Sequence, residues 1–360
     1  QTVVDGIITT DTVWDLDGSP YLITRDVIVR SASSGGAAPV LTIEAGVEVR
    51  FSPGTGLQIA DEFGGVYRGA LDARGTADAP IVFTSNAASP AHGDWKGIFF
   101  HERADSASSW FEHCVIEYGG SGFEMYGGVV KSSLVIRSAG PTIHHCVLRY
   151  GSGHGIYTKY YYASEISESL IYEHGGDGLH FEKSPVSVKA CTIRANGGHG
   201  IYLDRDTLQI GGTADGEGNT IEANGGYGIY INRPYDAPPA IHGNIIRGNG
   251  AYPLRSGAEM DFSGNTVSGH AIDAVEIVTE RITRDTIWSS DVSLYIVNQD
   301  IIVRSATSGG ETVLLTIAPG SEIRFAPEAG LQIGATSGGT YRGALDARGT
   351  AEAPIVFTSN

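Results

Sequence analysis

The 360 residues include only three cysteines and two methionines, and only 18% are charged. Cys114, Cys146 and Cys191 are too few and too oddly numbered for a disulfide framework, and no C-x-x-C pair marks a zinc or redox centre. No apolar run approaches the roughly 18 residues that a bilayer-crossing helix needs, so a soluble chain is expected, without membrane insertion. No segment of ten or more residues shows helical periodicity. Basic residues are scarce: 24 Lys and Arg stand against 41 Asp and Glu, a formal net charge of −17. That balance argues against nucleic acid and anionic membranes as partners, because both attract cations. The start at Gln1 has no basic region and no apolar run, so no signal peptide is expected. A mature secreted protein and an internal fragment are the two readings of that start.

What the chain has in excess is glycine. Its 50 glycines are about twice the usual share. They follow no three-residue period, which excludes collagen, and 41% hydrophobic residues exclude a wholly disordered chain. Length alone, at about 150 residues per domain, suggests two or three domains. Internal repetition overrides that estimate. Residues 11–86 align without a gap to residues 285–360, with 48 identities in 76 positions. From Tyr67 to Asn86 the one change against Tyr341 to Asn360 is Asp78 to Glu352. The chain therefore reads as one unit of 274 residues plus the opening of the next.

A shorter period lies inside the unit. Phe111-Glu112-His113-Cys114-Val115-Ile116 is echoed by Ile143-His144-His145-Cys146-Val147-Leu148 and by Val188-Lys189-Ala190-Cys191-Thr192-Ile193. Its fourth position reads Cys114, Cys146, Ser169, Cys191, Asn219, Asn244, Asn265, at spacings of 21 to 32 residues. Glycine turns then lead into short β-type strands, as in Gly176-Asp177-Gly178-Leu179-His180 and Gly198-His199-Gly200-Ile201-Tyr202. A fixed motif at variable spacing predicts stacked coils in which strands keep register and turns absorb insertions. The recurring small polar residue then forms an interior ladder, one rung per coil about 4.8 Å apart. The three cysteines are expected as reduced rungs of that ladder.

These motifs resemble secreted bacterial and archaeal right-handed β-helix proteins of the pectate-lyase-like fold. The resemblance rests on Leu41-Thr42-Ile43-Glu44-Ala45-Gly46-Val47, on Gly69-Ala70-Leu71-Asp72-Ala73-Arg74-Gly75-Thr76 with Pro80-Ile81-Val82-Phe83-Thr84-Ser85, and on Gly93-Asp94-Trp95-Lys96-Gly97. It implies an extracellular or cell-surface setting. The expected fold is all-β: a single-stranded right-handed parallel β-helix of about a dozen coils, roughly 55–60 Å long. Residues 1–110 are expected to form opening coils, 111–274 the regular coils, and 275–360 the start of a second unit. Asn360 follows an apolar strand directly, which suggests a longer natural chain or an end that stacks on another molecule.

Strand alternation points Ile156, Leu179, Ile201 and Ile229 inward and Tyr157, His180, Tyr202 and Tyr230 outward as a column. With Tyr160 and Tyr161 of the Lys159-Tyr160-Tyr161-Tyr162 segment, that wall is the candidate glycan contact, since aromatic faces suit sugar rings. Catalytic candidates are Asp177, His180, Lys183 and His199. Gly198-His199-Gly200 is similar to a polygalacturonase motif, but no Asp-Asp pair precedes it and no Arg-Ile-Lys follows. A lyase reading needs Asp177, His180 and Lys183 in one cleft. Ca²⁺ is the one cofactor considered, at Asp15 and Asp17 or at Asp215 and Glu217, although Ser289-Ser290-Asp291-Val292 loses a carboxylate and the glycine in the second copy. The function expected is a non-catalytic structural or adhesive module touching extracellular polysaccharide. A polysaccharide lyase or other glycan-active enzyme is the alternative, and a self-stacking fibre subunit with end-to-end association is the third reading.

Overall fold

The computed structural model describes every residue except 62–63, 126, 161–164, 205–208, 234–237 and 337. The regular structure of the described chain is almost entirely short parallel strands, with one 3₁₀ turn, Ser106–Ser108. No helix is long and apolar enough to cross a membrane. Three strands per coil build three sheets. Sheet 1 runs from the first half of Tyr21–Val29 through Glu48–Phe51 and Ile81–Ser85 to Thr266–Ser268. Sheet 2 runs from the second half of that strand through Gly56–Ile59, Gly97–Phe100 and Ser132–Arg137 to Leu254–Ser256. Sheet 3 holds ten strands, Thr12–Trp14 to Asp261–Ser263, and three more of the same kind follow in the second copy. The thirteen coils agree with the dozen expected from the motif spacing.

Alternation decides what is inside. Ile156, Leu179, Ile201 and Ile229 are all fully buried and stack on one another in register. The core is one continuous apolar column from Trp14 to Ile323. Sharp single-residue turns recur through the regular coils and make the column possible. The residue before most ladder rungs, Gly218 before Asn219 excepted, has a left-handed backbone: His145 at φ 52°, Glu168 at 49°, Ala190 at 54° and Gly243 at 67°. Glycine is required at 243, where a Cβ would lie 2.4 Å from the carbonyl oxygen of Gly212. Non-glycine residues pay a steric cost there of about 1–2 kcal/mol, which the ladder beside them offsets.

The ladder is as expected. Cys114, Cys146 and Cys191 are buried free thiols, and their Sγ–H groups donate to backbone carbonyls such as Glu112 and Lys189. Burial pushes the Cys191 thiol up to about 12, so it stays protonated and unreactive. Further along, the Asn219 amide donates to Asn244 and Asn244 to Asn265, each at 2.9 Å. A second ladder, not foreseen from sequence, occupies the turn between sheets 1 and 2. Asn196 donates to Asn224 and Asn224 to Asn249, with His174 and His270 as the end rungs. Burial holds His174 down to about 3, hence neutral.

The second copy does not continue the first sheet for sheet. Strand Val275–Ile277 pairs with Leu254–Ser256 of sheet 2 and then with Leu294–Val297. The counterpart of Leu294–Val297 in the first copy, Tyr21 to Ile23, opens sheet 1.

Candidate functional site

Strands His154–Lys159, Leu179–Glu182, Ile201–Asp204 and Ile229–Arg233 place Tyr157, His180, Tyr202 and Tyr230 side by side in register. The rings stack on each other: Tyr157–His180 centroids are 5.3 Å apart, His180–Tyr202 4.2 Å and Tyr202–Tyr230 5.4 Å, the last two with planes 9° apart. Both ends are covered as well. Tyr157 packs among Phe99, Phe123 and Val135, and the Arg255 guanidinium lies 4.5 Å over Tyr230. This corrects the expected wall. Tyr157 is only 5% exposed, and the stacked ring faces meet one another rather than a ligand, so the column offers edges and hydroxyls. Its aromatic area stabilises neighbouring coils.

The recess lies at one end of this column. Strands Phe123–Met125 and Gly128–Val130 form an antiparallel hairpin that overhangs sheet 2. Beneath it is a cleft of about 520 Å³ lined by Lys131, Arg137, His154, Tyr157, Lys159, Tyr160, His180 and Glu182. The loop foreseen as a substrate contact thus contributes Tyr160, while Tyr161 lies outside the described residues. The hairpin's role was not legible, because alternation within Phe123–Val130 looks like any other pair of strands.

Asp177 organises the cleft's charges. Its Oδ2 lies 2.7 Å from His180 Nδ1, and its Oδ1 accepts from the His199 backbone N–H at 2.7 Å. The Asp177 backbone N–H donates to His154 Nδ1 at 3.0 Å, and Tyr227 N–H donates likewise to His199 Nδ1. His199 therefore carries its ring proton on Nε2, while His154 Nδ1 also lies 3.3 Å from Asp177 Oδ2. Glu182 sits 3.6 Å from His180 Nε2 and 2.7 Å from Lys159 Nζ. Burial opposes charge on His180, but Asp177 and Glu182 outweigh it and hold the imidazole above its ordinary value. The hydrogen bond from His180, aided by Lys159, pushes Glu182 down to about 2. Burial raises Asp177 and is again outweighed, by His154 and His180, so its carboxyl lies below the usual range. Burial, reinforced by Glu182, keeps Tyr157 a phenol, which disqualifies it as a general base. Lys131 makes no ion pair among the described residues.

The other candidates fall elsewhere. Asp177 and His180 meet as foreseen, but Lys183 does not join them: it sits at a left-handed turn, φ 55°, with its ammonium 5.7 Å from the Tyr160 ring centroid, and does not line the cleft. Lys159, one strand position earlier on the neighbouring coil, takes that place. Burial lowers the His199 pKa, and its ring stacks on Tyr230 at 4.6 Å. Asp15 accepts from Gly18 N–H and the Tyr21 hydroxyl, Asp17 is exposed, and Glu217 pairs with Lys189 at 2.9 Å while Asp215 is exposed. Among the described residues the metal-capable groupings are instead His154–Asp177–His180 and His144–His145–Glu168.

The coil geometry agrees with sequence profiles. Residues 92–232 and 130–267 match a family described as "Right handed beta helix region", and residues 6–140 match a "Pectate-lyase like beta helix domain". The chain is a right-handed parallel β-helix repeat protein. No curated protein sequence matches it. Among solved structures, this β-helix protein is similar to the A-module of mannuronan C-5 epimerase AlgE4 from Azotobacter vinelandii, at 14% identity and a TM-score of 0.34, over 90% of this chain and 91% of that one. At that level the likeness carries no functional argument, and the site rests on its own geometry.

Proposed function

We propose that this β-helix protein is a non-catalytic structural and adhesive module, extracellular or at a cell surface, that holds a polysaccharide at the cleft roofed by the 123–130 hairpin. The observation carrying this reading is the cleft itself: a recess beneath the hairpin, with polar groups converging on it. Lys131, Glu182 and Lys159 supply donors and acceptors for sugar hydroxyls, and Tyr160 supplies an apolar edge. The charges of Asp177, His180, Glu182 and Lys159 satisfy one another, which suits binding more than turnover. His180 has both nitrogens against carboxylates, and Tyr157 cannot serve as a base.

Calorimetric titration of the full chain with neutral and uronate-containing oligosaccharides tests the reading. Binding should appear and should weaken at least about tenfold in Lys131→Ala and Glu182→Gln. A panel giving no heat, or binding indifferent to both substitutions, would overturn it. One observation favours a second reading, a glycan-active enzyme: the His180 imidazole, which Asp177 and Glu182 hold toward its protonated form, lines the cleft and could donate a proton. Unsaturated uronate released from any polysaccharide would establish that alternative.

A further inference from the structure

The two copies of the repeat differ in what covers their first strands. In the second copy, Val275–Ile277 is paired to Leu254–Ser256 below it, and Ile277 and Ile282 are fully buried. Trp288 Nε1–H donates to the Ala258 carbonyl at 3.0 Å. Asp291 Oδ2 accepts from both the backbone N–H and the side-chain amide of Asn265, at 2.7 and 3.1 Å. Asp291 thereby forms the next rung after Asn219, Asn244 and Asn265.

In the first copy Trp14 is buried too, but the strand at that edge has no strand beyond it among the described residues. Ile8, counterpart of Ile282, is only partly buried, and so is Val4, which pairs with Ile23 as Ile277 pairs with Val297. Trp14 stacks on Tyr21 at 4.9 Å as Trp288 stacks on Tyr295 at 5.1 Å, so the local fold is the same. Yet the Trp14 indole N–H and the Asp17 carboxylate have no hydrogen-bond partner among the described residues. The outer edge of strand Thr2–Ile8 carries unpaired backbone groups.

We propose that this edge is a docking surface for a second copy of the 274-residue unit, whose final coils seat on it as residues 254–265 seat under residues 275–291. Strand Leu254–Ser256 of the incoming unit would pair with Thr2–Ile8, its Ala258 carbonyl would accept from Trp14, and its Asn265 would donate to Asp17. The partner is specified by the ladder: the last rung must be an amide donor facing Asp17. Because the sheets change partners at the seam, the cleft-bearing sheet of one unit runs into the sheet 1 type of strand in the next.

The test places a copy of residues 1–274 ahead of the full 360-residue chain. Amide exchange in the now internal Thr2–Ile8 strand should slow at least about tenfold against the 360-residue chain, approaching that of Val275–Ile277. Small-angle scattering should show one rod. Asp17→Lys in the internal copy should restore faster exchange while leaving the rest of the rod folded. Unchanged exchange with two bodies on a hinge would overturn the proposal. So would filaments of the 360-residue chain formed on its own Phe357 edge, since another occupant would then fit the surface.

Discussion

Residues 67–86 and 341–360 have nearly one sequence and two different environments. Leu71 and Phe83 are fully buried, whereas Leu345 is 38% and Phe357 45% exposed. Strand Ile81–Ser85 is flanked on both sides, by Glu48–Phe51 and Cys114–Glu117, while among the described residues Val356–Ser359 is paired only to Glu322–Phe325. Local propensity is equal in the two segments, so the difference teaches that burial in a coil stack is conferred by the next coil. The reverse holds at the other edge, where Ile282 is covered and Ile8 is not.

The largest separation between copies is expected from core truncation. Phe83→Ala should cost about 3–5 kcal/mol in denaturant unfolding, and Phe357→Ala far less, because little cavity forms at a half-exposed side chain. Equal losses would mean the two environments are alike. A smaller contrast is expected at the indoles. Trp288→Phe removes the partner of the buried Ala258 carbonyl and should cost about 1–3 kcal/mol more than Trp14→Phe, measured the same way.

The copies also separate with pH, because only the first unit carries the Asp177–His180–Glu182 cluster. His180 is held above its ordinary 6.5, so its contribution is fully present below that value and is lost as pH rises through its higher folded value. Glu182 works the other way: its contribution is present above its ordinary 4.5 and is lost as pH falls toward about 2. Exchange around residues 177–182 should therefore accelerate toward alkaline pH, residues 341–360 should show no matching step beyond intrinsic chemistry, and His180→Gln should flatten the difference. The smallest effect is expected at the exposed pairs Arg74–Asp72 and Arg348–Asp346, which occur identically in both copies. Breaking either should leave the melting curve unchanged, as for most surface ion pairs.

Much of this was legible in the residues. The ladder from Cys114 to Asn265 followed from a small polar residue recurring after a fixed apolar frame, and inward Ile156 to Ile229 followed from alternation. The second ladder was legible in principle, since Ala195-Asn196-Gly197 and Ala223-Asn224-Gly225 carry the same left-handed turn and rung. The cleft was not, because the hairpin that roofs it acts across coils: Phe123 meets Phe99 and Tyr157 only after stacking. The column's closed faces were hidden for the same reason. Alternation says which way Tyr202 points, but the 4.2 Å ring contact with His180 decides what it can touch.

Hydrogen exchange followed by mass spectrometry on the intact 360-residue chain tests the central claim most directly. The peptides 67–86 and 341–360 are distinguishable by the single change of Asp78 to Glu352. The account predicts strong protection across Leu71–Ala73 and Ile81–Phe83 and much faster exchange at 345–347 and 355–357. Equal protection in the two peptides would contradict it.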